Sequence, residues 1–272
     1  MRAPLAPGAT VSTTRAPCPV CDRGPKDKAL ARTEDERGRV EFCHRCGYTR
    51  ADNLERRPLE PIRTPAKSDA PLEWSDRAES IWRRTVPLRS TLGEVYLRHR
   101  GCVLTPMDSD LRFLPASDKH PPTLCARVTN AETNTPQTLH FTRLSRDGRG
   151  KAGSDCDKLL LAGHRKKGGV VRLWPDECVT HGLALAEGIE SALAAAHLFQ
   201  PVWACVDAGN LAAFPVLAGI ELLAIFADHD PAGLKAAKKC ARRWADAGRE
   251  VRIRAPLAPG ADAADLAKGV AA

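Results

Sequence analysis

From Gly182 to the end of the chain, short apolar runs alternate with helical patterns, and this alternation narrows the fold more than any other feature. The runs 183–186, 202–206, 221–227 and 251–253 are separated by a helix reaching about residue 199, a short helix and a long one. Unbroken apolar runs are strands buried on both faces, and strands spaced by helices form a parallel sheet with crossover helices. The long helix is the best marked. Asp230 caps its start, Pro231 suits its first turn and Gly248 lies past its end. Leu234, Ala237, Ala241 and Trp244 share its apolar face, and Lys235, Lys238, Lys239, Arg242 and Arg243 its polar one.

The middle of the chain has a different texture. Runs at 111–114, 123–128, 137–144, 158–161 and 170–174 are short, rich in β-formers and separated by Asn, Asp, Gly and Pro, which predicts a mainly antiparallel sheet. Two helices precede it: Ser75 caps the first, which Pro87 stops, and Ser90 caps the second, which Gly101 ends. Pro58, Pro61, Pro65 and Pro71 punctuate a stretch without apolar periodicity that reads as a tether. The expected organisation is an N-terminal module over 1–50, a linker over 51–73, a basic α+β region over 74–180 and the parallel α/β domain over 181–272, with no internal repeat.

The N-terminal module is organised by cysteine. Cys18 and Cys21 form one CxxC pair and Cys43 and Cys46 a second. Each pair lets a tight knuckle aim two thiolates at one ion, and two knuckles complete a tetrahedral zinc site, the pattern of a zinc ribbon. Such a closed site is structural, and a module of this size has too little apolar surface to fold without it. His44, inside the second knuckle, is a poor substitute ligand. The cysteines at 102, 125, 156, 178, 205 and 240 show no ligand spacing and are expected in the core. No run of about 18 apolar residues exists, and the first eleven residues lack a signal pattern, so a cytoplasmic protein without membrane association is expected.

Charge is unevenly placed. Residues 1–50 hold ten basic groups against six acidic, 140–172 nine against three, and 181–272 nine against ten. Local positive patches attract nucleic acid, so the contact surface should lie upstream of the last third, with Arg15, Arg23, Arg39, Arg45 and Arg50 serving on the N-terminal module. The acids of the last third stand at strand ends. One run closes on Glu187-Gly188 and another on Asp228-His229-Asp230. Ligands gather at the carboxyl ends of parallel strands, so these acids should converge, with Asp228 and Asp230 facing one way. Clustered carboxylates call for cations, hence Mg²⁺ or Mn²⁺, and Gly188 leaves room for a phosphate at a helix start.

The segments LALAEGIESALAAA and LLAIFADHDPAG resemble the two signature strands of the Toprim domain shared by primases, topoisomerases and certain nucleases. With the zinc ribbon and the basic segment LAGHRKKGGVVRL, the whole order is similar to small bacterial primases of phages, plasmids and integrated mobile elements. In the late stretch PGADAADL the family's Asp-x-Asn-Asp pattern is missing, so Asp262 and Asp265 are doubtful metal ligands. The resemblance implies a DNA primase, a nucleotidyltransferase that copies a single-stranded DNA template from ribonucleoside triphosphates. Glu187, Asp228 and Asp230 would then be its catalytic, metal-holding acids. Arg165, Lys166 and Lys167, with Gly168 and Gly169 permitting close approach, would grip nucleotide or template phosphates, with Arg143, Lys151 and Gly188 as further contacts. A metal-dependent nuclease using the same acids, and a non-catalytic single-strand-binding replication subunit, remain as alternatives. A topoisomerase is disfavoured, because Tyr48 and Tyr96 are the chain's two tyrosines and neither sits in a gate domain. Without a GxxxxGK[ST] loop, unwinding would fall to a separate replicative helicase.

Overall fold

A computed structural model of the chain describes residues 12–21, 24, 27–35, 38–43, 46, 48–52, 74–118, 120–154, 156–258 and 260–261. The chain divides into two compact units, 1–69 and 70–272. In the first, β1 (Ser12–Ala16), β2 (Leu30–Asp35), β3 (Gly38–Cys43) and β4 (Thr49–Asp52) form an antiparallel sheet in chain order. Its buried cluster is Ala16, Cys18, Leu30 and Cys43, too small a core to hold four strands without help. β4 runs through Asp52, two residues past the boundary expected at residue 50; most of the Pro-rich stretch lies outside the described residues.

The second unit opens with α1 (Asp76–Arg83) and α2 (Leu92–His99). Ser75 caps α1 as expected, its Oγ accepting the Ala78 N–H. Thr91, one residue later than expected, caps α2. Ser90 instead takes a positive φ of 61° and donates its N–H to Glu94. The strands follow: β5 (Leu111–Leu114), β6 (Thr123–Asn130), β7 (Pro136–Arg143), β8 (Lys158–Leu160) and β9 (Gly169–Arg172). Then comes the alternating part, β10 (Gly182–Ala186), α3 (Ile189–Ala195), β11 (Val202–Ala204), α4 (Ala208–Ala213), β12 (Leu222–Phe226), α5 (Pro231–Asp246) and β13 (Glu250–Arg254). α3 stops short of residue 199 because its last turn tightens into i to i+3 bonds, His197 to Ala194 and Leu198 to Ala195.

The antiparallel and parallel halves are one sheet, in the order β13-β12-β10-β11-β9-β6-β7-β8, with β5 on β6. β10 pairs parallel with β11 and β12, and β12 with β13; the strand direction reverses where β11 meets β9 antiparallel. Arg172 fastens that junction. It is 4% exposed, its guanidinium lies 4.4 Å from the Trp203 ring centroid, and it donates to the carbonyls of Asn130 and Ala131 and to Asp176. A buried cation is tolerated because those acceptors and the carboxylate replace its water.

Strand parity divides the core. On β10, Ala184 and Ala186 face the cluster that holds α2 and α3, whereas Leu183 and Leu185 face the one that holds α4 and α5. Trp244 of α5 is fully buried there and stacks on Phe214. A third cluster packs α1, through Ala78, Ile81 and Trp82, on Leu114, Cys125, Leu139 and Phe141. Cys102, Cys125, Cys205 and Cys240 are core residues as expected; Cys156 and Cys178 are exposed, since both lie outside the strands and α-helices.

Candidate active site

The four cysteines of the first unit lie within 4.8 Å of one another. Across the knuckles, Cys18 Sγ is 3.7 Å from Cys46 Sγ and Cys21 Sγ is 3.8 Å from Cys43 Sγ. A tetrahedron with metal–sulfur arms of ~2.3 Å has edges of ~3.8 Å, so the donors fit zinc in both chemistry and spacing. Hydrogen bonding to Cys46, then burial and the other thiols, push the Cys21 thiol up to about 12, a crowding that a cation would reverse. Of the five expected basic contacts here, Arg39 pairs with Glu41 and Arg50 with Asp52, while Arg15 is exposed without an acidic partner among the described residues. Arg23, Arg45 and His44 lie outside the described residues.

In the second unit the acids stand where neighbouring parallel strands end. Ala186 of β10 is level with Phe226 of β12 on one side and Ala204 of β11 on the other. Glu187 is therefore flanked by Asp228 and Asp230 past β12 and by Asp207 past β11. Burial, then the charges of Asp228, Asp230 and Asp207, push the Glu187 carboxyl up to about 7, against one backbone hydrogen bond from Ala208. Such a negative potential, offered by oxygen donors alone, suits a hard divalent cation. Among the described residues the cysteines are the one group of three or more such side chains closed to within 4.8 Å; these carboxylates stand further apart.

Local folding aims them. Asp230 caps α5, accepting the Gly233 N–H at 2.7 Å. A Cβ at Gly233 would lie 2.8 Å from the Asp228 carbonyl, so glycine is what allows the helix to start this close to the strand. His229 turns the other way, its Nδ1 2.7 Å from the Pro256 carbonyl, which leaves Asp228 and Asp230 on the shared side. Asp207 escaped the sequence reading, although its position after an apolar strand is the same signal. Val206 before it takes a φ of 70°, costly for a β-branched residue, and Asp207 caps α4 through the Asn210 N–H.

The basic loop lies beside Asp207. Lys166 Nζ is 2.8 Å from its carboxylate, and Asn210, also unforeseen, holds the loop by accepting the Gly168 N–H and donating to the carbonyls of Lys166 and Gly169. Arg165 and Lys167 are exposed. Gly168 serves a turn at φ 74°. Gly169 does something other than expected. It is buried, and an added Cβ would lie 2.5 Å from Val128 Cγ1 and 2.7 Å from Gln137 Oε1, so it makes room for the sheet rather than for a phosphate.

Lys151 and Lys158 meet Glu190, a third residue the sequence did not reveal. Glu190 is 7% exposed and also accepts the Tyr96 hydroxyl. Although burial opposes ionisation, Lys158 and Tyr96, with Lys151 beyond, hold its carboxyl down at about 2. Gly188 and Glu190 line a cavity of about 40 Å³ with His140 and Thr142 of β7, and a Cβ at Gly188 would lie in ordinary contact with Ser191 Oγ, at 3.8 Å. Arg143 is not brought to this place: it lines a groove with Phe141, on the other pleat of β7. Asp262 and Asp265 lie outside the described residues.

No curated protein matches the chain. Among solved structures it is similar to a DNA primase domain from Pseudomonas aeruginosa, at 14% identity over 67% of this chain and 57% of that one, with a TM-score of 0.38. It thus spans little more than half the length of that protein. It is also similar to the Aquifex aeolicus primase, zinc-binding and RNA polymerase domains, at 16% over 95% and 76%, with a TM-score of 0.46. A third is the primase fragment of the bacteriophage T7 primase-helicase protein, at 13% over 94% and 95%, with a TM-score of 0.42. Residues 73–173 match a domain of unknown function, DUF7146, and residues 182–271 match the Toprim domain. Glu187, Asp207, Asp228 and Asp230 all fall inside the latter match, and the C-terminal third of this chain is a Toprim domain.

Proposed function

We propose that the chain is a DNA primase, joining ribonucleotides on a single-stranded DNA template. The observation that carries this reading is the carboxylate set at three adjoining strand ends of a Toprim domain, with a clamped basic loop beside it. A divalent cation held by Glu187, Asp228 and Asp230 would neutralise the triphosphate and the departing pyrophosphate. The residues then have separable tasks. Asp228 and Asp230 are pre-aimed by the α5 cap, and Glu187 takes either a metal or the proton of the attacking 3′-hydroxyl. Lys166, oriented by Asp207, and the exposed Arg165 and Lys167 offer positive charge to phosphates of nucleotide or template. The ribbon, with zinc on Cys18, Cys21, Cys43 and Cys46, presents Arg15 to nucleic acid, and a separate helicase supplies the single strand.

The test is a gel assay with single-stranded DNA, labelled ribonucleotides and Mg²⁺ or Mn²⁺. Glu187→Gln and Asp228→Asn should each lower primer synthesis by at least ~10²-fold without lowering the melting temperature. Near-normal synthesis by Glu187→Gln overturns the site. A wild-type chain that cuts the template and extends nothing is the nuclease instead.

A further inference from the structure

β7 and β8 have two faces, and Gly188 and Glu190 of the Toprim domain meet one. His140 and Thr142, with Lys158 opposite Thr142, face the cavity at Gly188 and Glu190. Phe141 and Arg143, with Leu159 opposite Phe141, face away from it, beneath α1. There lies a half-open groove of about 280 Å³, just below the ~300–1,000 Å³ usual for ligand sites. Its floor is apolar, from Ile81, Phe141 and Leu159. Its rim is cationic: Arg77 and Arg84 are exposed and Arg143 is half-buried, and no carboxylate lines the groove. None of the three guanidinium groups has an acidic partner among the described residues.

We infer that this groove is a second nucleic-acid site, which seats one base of a single DNA strand on its apolar floor and the flanking phosphates on the three arginines. Charge selects the ligand class, because three guanidinium groups without an ion pair among the described residues, set around an apolar slot, complement a molecule with an apolar face and anionic linkers. Spacing selects the strand over a free nucleotide. Arg77 on α1 and Arg84 at its C-cap, seven residues apart, are ~10 Å apart along the axis, and Arg143 lines the groove from the sheet, so the charges serve successive phosphates rather than converge on one triphosphate. The site lies in the segment that matches the domain of unknown function and does not depend on which reaction the carboxylates perform.

The experiment uses the full chain, fluorescently labelled oligothymidylate and no added magnesium. Arg77→Ala with Arg84→Ala, both exposed, should weaken binding at least about tenfold and flatten the salt dependence by ~1.4, at ~0.7 per lost phosphate contact. An oligomer carrying 5-iodouracil should photocrosslink to the peptide that contains Phe141. Unchanged affinity and salt slope in the double variant overturn the proposal, as does crosslinking confined to the Gly182–Asp230 peptides. Displacement of the oligomer by millimolar ATP makes the groove a free-nucleotide site and also overturns it, and displacement by polyglutamate but not by unlabelled DNA makes it a protein-docking groove. Arginine-dependent binding by a chain that makes no primers would leave this inference standing and refute only the primase reading.

Discussion

Replacing Glu190 with Gln tests whether a buried carboxylate ties α3 to the antiparallel half of the sheet. The side chain receives the Tyr96 hydroxyl, Lys158 and, at 3.4 Å, Lys151, so three segments far apart in sequence meet on one charge. Gln keeps the volume and can still accept from Tyr96, but its amide N–H groups then face an ammonium. The carboxyl falls from 4.5 to about 2 on folding, and at ~1.36 kcal/mol per pKa unit this corresponds to about 3 kcal/mol at neutral pH, an upper figure because both lysines are partly exposed. The sign follows from the depressed value. The contribution is complete above the unfolded pKa of 4.5 and is lost as pH falls through the folded value, leaving about 1.4 kcal/mol at pH 3. All five tryptophans, at 74, 82, 174, 203 and 244, lie in the second unit, so their fluorescence in urea titrations follows that unit alone. The wild-type-minus-variant difference should be about 2–3 kcal/mol at pH 7 and shrink by roughly half at pH 3. A difference under ~0.5 kcal/mol at pH 7, or one that does not change with pH, would refute the idea that ionised Glu190 holds these elements together.

Two further outcomes follow from the geometry. One zinc should be bound per chain, and Cys43→Ser or strong chelation should open 1–69 to protease while the tryptophan-reported melt stays put; a zinc-free chain with protease-resistant β1–β4 would contradict this. Gly169→Ala drives a methyl group into Val128 and Gln137 and should cost about 1–3 kcal/mol, seen as a drop of several degrees in the melt; an unchanged melt would mean that the loop relaxes freely.

The sequence alone determined what local signals can carry. Two CxxC spacings specify a tetrathiolate because each knuckle is a few residues long, and the caps and apolar face of α5 mark that helix from its own residues. Glu187, Asp228 and Asp230 were legible because each follows an apolar run, and a parallel strand brings its end to the same edge wherever it lies in the sheet. Tertiary structure decided everything that depends on pairing. That β9 meets β11 and makes one sheet of two textures is a long-range choice, and so is the meeting of Glu190 with Tyr96, 94 positions earlier. Arg143 and Lys151 come from the same basic segment. Yet pairing with β6 and β8 sets the register of β7, and the two-residue pleat then turns Arg143 to the groove under α1, while Lys151 reaches the Toprim side through Glu190. A one-residue slip would exchange the faces, and only the assembled sheet excludes it.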